Sequence, residues 1–284
     1  MADENPSQIS GLRGLTDPVA FVAFGGWNDA GSAASQTVEH LAETCDTSQA
    51  FSLDPDDFYD YQVNRPEVRG SGETRRIAWP TTEIRVGKLP NGRDLVIIQG
   101  LEPNFRWRQF CQLLTSALRS AGVQRVYLVG ALLADHPHTR PIPVSASSGD
   151  PTVAEELGLE ANTYEGPTGI LGILNDHLDK VGIETISLWA AIPHYVSSPP
   201  SPKGTLALLN RLEDLLDLSL DLGDLPELAR AWERGVNELA ADDTEVAEYV
   251  EALEQQRDES ELPEASGDAI AAEFERYLRR RRQQ

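Results

Sequence analysis

The side chains best equipped for chemistry fall in turns and loops that follow apolar runs or lead into helical patterns: Asn28, Asp29, Glu102, Asp135, His136, His138, Glu165, Thr168, His194 and Tyr195. Carboxylates and imidazoles in that setting could act as general acids or bases, and His194 directly after an apolar run has the type for a base. Asp135, His136 and His138 are metal-ligand types, but their spacing matches no standard site. The glycines Gly25 and Gly26, and Gly166, Gly169 and Gly172, could bring backbone N–H groups close to an anion at a helix N-terminus. Each also has a plainer reading. In that reading Asp29 and Glu102 serve only as helix caps or first-turn acids, the His-Pro-His stretch as a solvated turn, and the glycines as tight turns. No GxxxxGK[ST], GxSxG or HExxH pattern occurs, so no catalytic residue is assigned and no cofactor or metal is expected.

These residues need elements to position them. Val19-Ala-Phe-Val-Ala-Phe24 reads as a buried strand, followed by Gly25-Gly26-Trp27-Asn28-Asp29 and a helix over 30–44 with Asp29 as N-cap. Asn91-Gly92 between β-prone runs predicts a hairpin of 82–89 with 93–99. Its second arm ends at a turn into a helix over 104–121, with Phe105, Phe110, Leu114 and Leu118 on the apolar face. Strands over 125–131 and 184–191 and helices over 151–157, 170–181 and 202–218 complete an alternating pattern. Residues 62–76 and the long stretch 135–150 read as loops. Parallel strands would gather their following turns at one edge, where ligands bind in open α/β sheets. The expected ligand-binding set is Gly25, Gly26, Asn28, Asp29, Glu102, Glu165, Thr168 and His194. Trp27 in the first turn needs a packing partner, from the other turns or a second subunit.

The expected fold class is therefore α/β: a three-layer α/β/α arrangement with a mixed, mostly parallel sheet and a C-terminal helical appendage. The expected segments are a loose lead-in over 1–17, an α/β/α domain over 18–220 and an acidic helical segment over 221–284. From 221 to 265 there are fifteen acids and three basic residues. Helices are expected over 225–240, 244–257 with Thr244 as N-cap, and 268–282.

The chain of 284 residues has a net charge of -22, which argues against nucleic acid and anionic membrane as partners. No apolar run reaches the roughly 18 residues of a membrane span, and residues 1–17 lack a signal-peptide pattern. Two distant cysteines, Cys45 and Cys111, are expected as buried free thiols, in keeping with a cytoplasmic protein.

Three passages together, Phe24-Gly25-Gly26-Trp27-Asn28-Asp29-Ala30-Gly31, Glu165-Gly166-Pro167-Thr168-Gly169-Ile170 and Ile192-Pro193-His194-Tyr195 with Ser198-Pro199-Pro200, resemble the PAC2 (proteasome assembly chaperone 2) family in its actinobacterial form. The resemblance covers residues 15–220. It implies a nucleoside-phosphorylase-like shape, homo-oligomers (a homotrimer is expected) and a non-enzymatic, assembly-chaperone-like role with a protein partner. It carries over no catalytic residue. The alternative from the residues alone is a small-molecule binder, or a phosphorylase- or hydrolase-like enzyme, with a pocket at the turn edge.

Overall fold

The computed structural model describes residues 10–162 and 164–261. Ten strands and seven α-helices are described: β1 Val19–Gly25, α1 Ala33–Thr44, β2 Ser48–Ser52, β3 Glu67–Arg69, β4 Arg76–Ala78, β5 Glu83–Lys88, β6 Asp94–Leu101, α2 Trp107–Ser120, β7 Arg125–Ala134, β8 Val144–Ser148, α3 Pro151–Leu157, β9 Glu160–Ala161, α4 Ile170–Asp179, β10 Glu184–Pro193, α5 Pro202–Leu216, α6 Leu225–Ala241 and α7 Thr244–Glu261. Eight strands form one sheet in the order β2-β5-β6-β1-β7-β10-β8-β9. The fold is α/β with a mixed sheet. β1 lies parallel to β6 and β7, while β5 runs antiparallel to β6 and β2. The Asn91-Gly92 turn supplies that reversal, with Gly92 at φ 87. β3 and β4 form a separate antiparallel ribbon that begins within 62–76, a stretch whose polar composition reads as loop, and ends just beyond it. β8 likewise falls where a loop was expected. Its Val-Ser-Ala-Ser-Ser sequence lacks the apolar run that marks the central strands.

The chain divides into two compact units. The first holds the residues through Asp29, Ala34–Gly130 and Ala146–Leu188. Its core is the fully buried run Val19–Phe24 with Leu95, Ile97 and Ile98 of β6. Phe21 stacks on Tyr127 at 5.0 Å, and Phe110 of α2 meets Phe24 and Phe58 edge-on at 5.6 and 5.3 Å. Ala34, Val38 and Leu41 form the buried face of α1 in this unit. α2 begins three residues later than the sequence pattern suggests, because Arg106 adopts the left-handed conformation. Asn104 and Phe105 instead donate their N–H groups to the Phe58 carbonyl at 2.8 and 3.1 Å, leaving the Phe105 ring exposed. Part of the described lead-in is held to the sheet. Leu12 is buried, and Thr16 and Asp94 exchange two hydrogen bonds.

The second unit comprises Ala30–Ala33, Ala131–Ser145 and Trp189 onward. Helix α5, expected with the α/β domain, groups here with α6 and α7. Gly31 explains how a four-residue piece near the N-terminus joins this unit. It sits at φ +59, its carbonyl accepts the Ser201 N–H at 2.8 Å, and a Cβ would lie 2.8 Å from the Ser201 Cβ. Only glycine permits that approach. α7 is capped by Asp243 rather than Thr244: its Oδ1 accepts from the N–H groups of Glu245 and Val246 at 3.0 and 3.4 Å. The helix expected over 268–282 lies outside the described residues.

Candidate functional site

The turn after β1 is closed by Asp29 N–H donating to the Gly26 carbonyl at 3.1 Å. Gly26 takes φ +124 there, with Glu102 packed beside it. The neighbouring β6 turn is tied to it through Glu102 N–H and the Gly25 carbonyl at 2.8 Å. Within this frame the polar residues have definite partners. Asp29 Oδ1 accepts from Ala34 and Ser35 N–H at 2.8 and 3.1 Å, so it caps α1 across the intervening short 3-10 turn. Burial raises the Asp29 pKa, against the lowering effect of the hydrogen bonds from Ser35 and Ala34. Glu102 caps a helix too, but α4 rather than the α2 that follows it in sequence. Its Oε1 accepts from Ile170 N–H at 2.8 Å and from Asn28 Nδ2 at 3.0 Å.

This arrangement decides the chemistry of the glycine-rich turn before α4. Its helix N-terminus already holds an anion, the chain's own Glu102 carboxylate. An external phosphate there would meet like charge. Gly169 is required for a different reason. A Cβ would fall 2.4–2.8 Å from the Asn28 carboxamide, so glycine lets the buried amide lie against the helix start. Asn28 Oδ1 is buried with no hydrogen-bond partner among the described residues. Thr168 is exposed, with its hydroxyl 3.5 Å from the Gly169 carbonyl, and Glu165 is exposed on the same loop. The structure thus joins Gly25, Gly26, Asn28, Asp29 and Glu102 directly, and leaves Glu165 and Thr168 facing solvent. Trp27 is 65% exposed. Leu101, Phe105 and Tyr164 are exposed in the same unit.

His194 belongs to the second unit, with Asp135, His136, His138 and Tyr195. His138 is fully buried at the centre of a network there. Tyr195 Oη accepts the His138 backbone N–H at 2.7 Å and lies 2.8 Å from its Nδ1. The hydroxyl therefore donates to Nδ1, and Nε2–H donates to Asn237 Oδ1 at 3.1 Å. Burial lowers the pKa of His138 and of His136, favouring neutral rings, and raises that of Tyr195 to about 12. Lys203 Nζ donates to the His138 carbonyl at 2.5 Å and pairs with Glu233. His194 Nδ1 and Tyr249 Oη each lie 3.2 Å from Asp135 Oδ1, and the rings of His194, Tyr195 and Tyr249 meet edge-on. Arg140 clasps Asp258 with two bonds at 2.9 and 2.8 Å. The His136/His138 stretch is thus a clasp for α6 and α7, with each imidazole engaged in hydrogen bonding. Among the described residues no group of three His, Cys, Asp or Glu could hold a metal. Asn237, Tyr249, Lys203 and Glu233 escape sequence reasoning, because their partners lie 30 to more than 100 residues away and no local spacing connects them. A groove of about 600 Å³ in this unit is lined by Ile142, Val144, Leu206, Ala207, Arg211 and Glu233 among others.

In this α/β protein the turns after β1 and β6 are thus tied to helix starts by the chain's own Asp29 and Glu102, with large apolar side chains exposed nearby. The PAC2 family model matches residues 23–240, and the chain belongs to that family. A PAC2 family protein of Streptomyces avermitilis is similar at 54% identity over 82% of this chain and 100% of its own, with a TM-score of 0.78. A proteasome-assembly chaperone homologue of Mycobacterium tuberculosis is similar at 47% identity over 82% of this chain and 99% of its own, with a TM-score of 0.74. An archaeal proteasome activator of Pyrococcus furiosus, at 17% identity over 80% and 94% with a TM-score of 0.65, shares the fold. No curated protein matches the chain. No described helix is long and apolar enough to cross a membrane.

Proposed function

We propose that this chain is a non-enzymatic, protein-binding member of the PAC2 family. Its role is assembly-chaperone-like and proteasome-related, carried out in the cytoplasm as a homo-oligomer, with a homotrimer expected from the family resemblance. The observation that carries the reading is the 47% identity, over nearly the whole of its length, to a protein described as a proteasome-assembly chaperone homologue. The turn edge supports it: Asp29 and Glu102 are occupied as caps, while Trp27, Leu101, Phe105 and Tyr164 are exposed. Large apolar side chains in that setting suit a protein surface better than a small polar substrate. The test is native mass spectrometry of tagged protein from its own cells. Co-purifying proteasome subunits, lost in Trp27→Ser/Phe105→Ser, are the expected result. Self-assembly alone would refute the partner.

The small-molecule alternative, expected to draw on Gly25, Gly26, Asn28, Asp29, Glu102, Glu165, Thr168 and His194, keeps one specific support, the unpartnered buried Asn28 Oδ1. A donor group on a ligand there would raise the melting temperature of the wild type and not of Asn28→Ala. No shift across a panel of nucleosides, nucleotides and amides would dismiss it.

A further inference from the structure

We propose that the β3–β4 ribbon is the surface through which this chain associates with a second copy of itself. Two-stranded ribbons are marginal in water unless something covers one face. Among the described residues, β3 and β4 pair only with each other, and every residue of β3 is exposed. On one face Val68 and Ile77 stand directly opposite each other, at 54% and 50% exposure. Trp79, just beyond the end of β4, is 51% exposed and leans on Tyr61 at 4.8 Å. On the other face Arg69 lies directly opposite Arg76. Like charges in that position destabilise a ribbon. Glu67 engages Arg69 at 3.0 Å, but Arg65, Arg75 and Arg76 have no ion-pair partner among the described residues.

The occupant follows from charge. Residues 61–79 carry four arginines against two glutamates, within a chain of net charge -22. A second copy carries the same large excess of carboxylates, 46 acidic residues against 24 basic ones. It supplies carboxylates for the arginine face, and contact with it takes Val68, Ile77 and Trp79 out of water. The same net charge disfavours nucleic acid as the occupant. The inference rests on the self-association proposed above, but not on the proteasome partner or on the Trp27 edge.

The test is sedimentation velocity of the full chain at about 0.05 M and about 0.5 M salt. Wild type, Arg75→Glu/Arg76→Glu and Val68→Ser/Ile77→Ser are compared, with circular dichroism to establish that each variant is folded. Both pairs of substitutions are on exposed or nearly exposed sites. The expected result is a wild-type oligomer whose dissociation constant rises at least about tenfold in each variant. High salt should weaken the wild type and the serine variant, and have much less effect on the charge-reversed one. A monomeric wild type overturns self-association itself. An oligomer unchanged in both variants overturns the ribbon's role and leaves self-association standing. Wild type and variants that remain monomeric alone, but differ in binding an acidic protein from the same cells, overturn the second copy as occupant.

Discussion

Acidification should loosen the second unit through its two buried histidines, and the size of the effect can be worked from linkage. His136 and His138 have pKa values below the ordinary 6.5, mainly because burial disfavours the charged ring. The folded state therefore binds fewer protons than the unfolded state between the depressed value and 6.5. Stability rises with pH across that window and is complete above it. On acidification it falls, with a limiting slope of about 1.4 kcal/mol per pH unit for each histidine. From neutral pH to one unit below 6.5, the two together can lose up to about 3 kcal/mol. Groups around His138 modulate this: Lys203 opposes protonation, while Asn237, Glu233 and Glu254 favour it. Other shifted carboxyls act elsewhere or oppositely. The raised pKa of Asp29 favours the folded state on acidification, and the lowered values of Asp94 and Asp258 matter only near and below 3.8. The assay is urea unfolding at pH 7.5, 6.5 and 5.5, for wild type and His138→Gln. Whatever the substitution costs at neutral pH, its curve against pH should be flatter than the wild type's by up to about 1.4 kcal/mol over the lower unit. Parallel curves would refute a buried neutral His138.

Glu102→Ala should cost about 1–3 kcal/mol in thermal or urea unfolding, because it strands the Ile170 N–H and Asn28 Nδ2; an unchanged melting temperature would mean that Glu102 is not the α4 cap. Gly169→Ala should be strongly destabilising through its contact with the Asn28 amide. The same change in an Asn28→Ala background should cost less by about 1 kcal/mol or more, and strict additivity in that double-mutant cycle would exclude the contact. Asp243→Ala should cost about 1 kcal/mol by loss of a helix cap, with Thr244→Ala costing much less; equal losses would return the cap to Thr244.

The central strands were legible because burial on both faces leaves an unbroken apolar run, as in Val19–Phe24 and Leu95–Ile98. The hairpin was legible because Asn-Gly supplies the conformations a tight reversal needs. Asp29 could be read as a cap from its position alone. Glu102 could not be assigned to the right helix, since its partner Ile170 is 68 residues on and only the fold brings them together. β8 and the β3–β4 ribbon were missed for a related reason: polar strands take their stability from neighbouring strands and leave no periodic signal. The start of α2 was misplaced because a left-handed Arg106 has no sequence signature. His138 was visible as a residue of interest, but its role depends on Tyr195 and Asn237, whose identities mean nothing to it until the backbone is in place.

The division of the chain also bears on the order in which it can fold during synthesis. Ala30–Ala33 leave the ribosome early, yet Gly31 meets Ser201 and the Ala33 carbonyl meets Thr205, 172 residues later. β1 is flanked by β6 and β7, so neither neighbour exists when it emerges. The first unit can close once β10 has been made, but the second has no complete set of parts until the C-terminal helices arrive. Contacts this distant in sequence slow folding and prolong the exposure of apolar strands. A nascent chain halted before residue 189 should therefore hold β1 and its sheet partners, while its 30–33 segment still lacks the residues that make glycine at position 31 necessary.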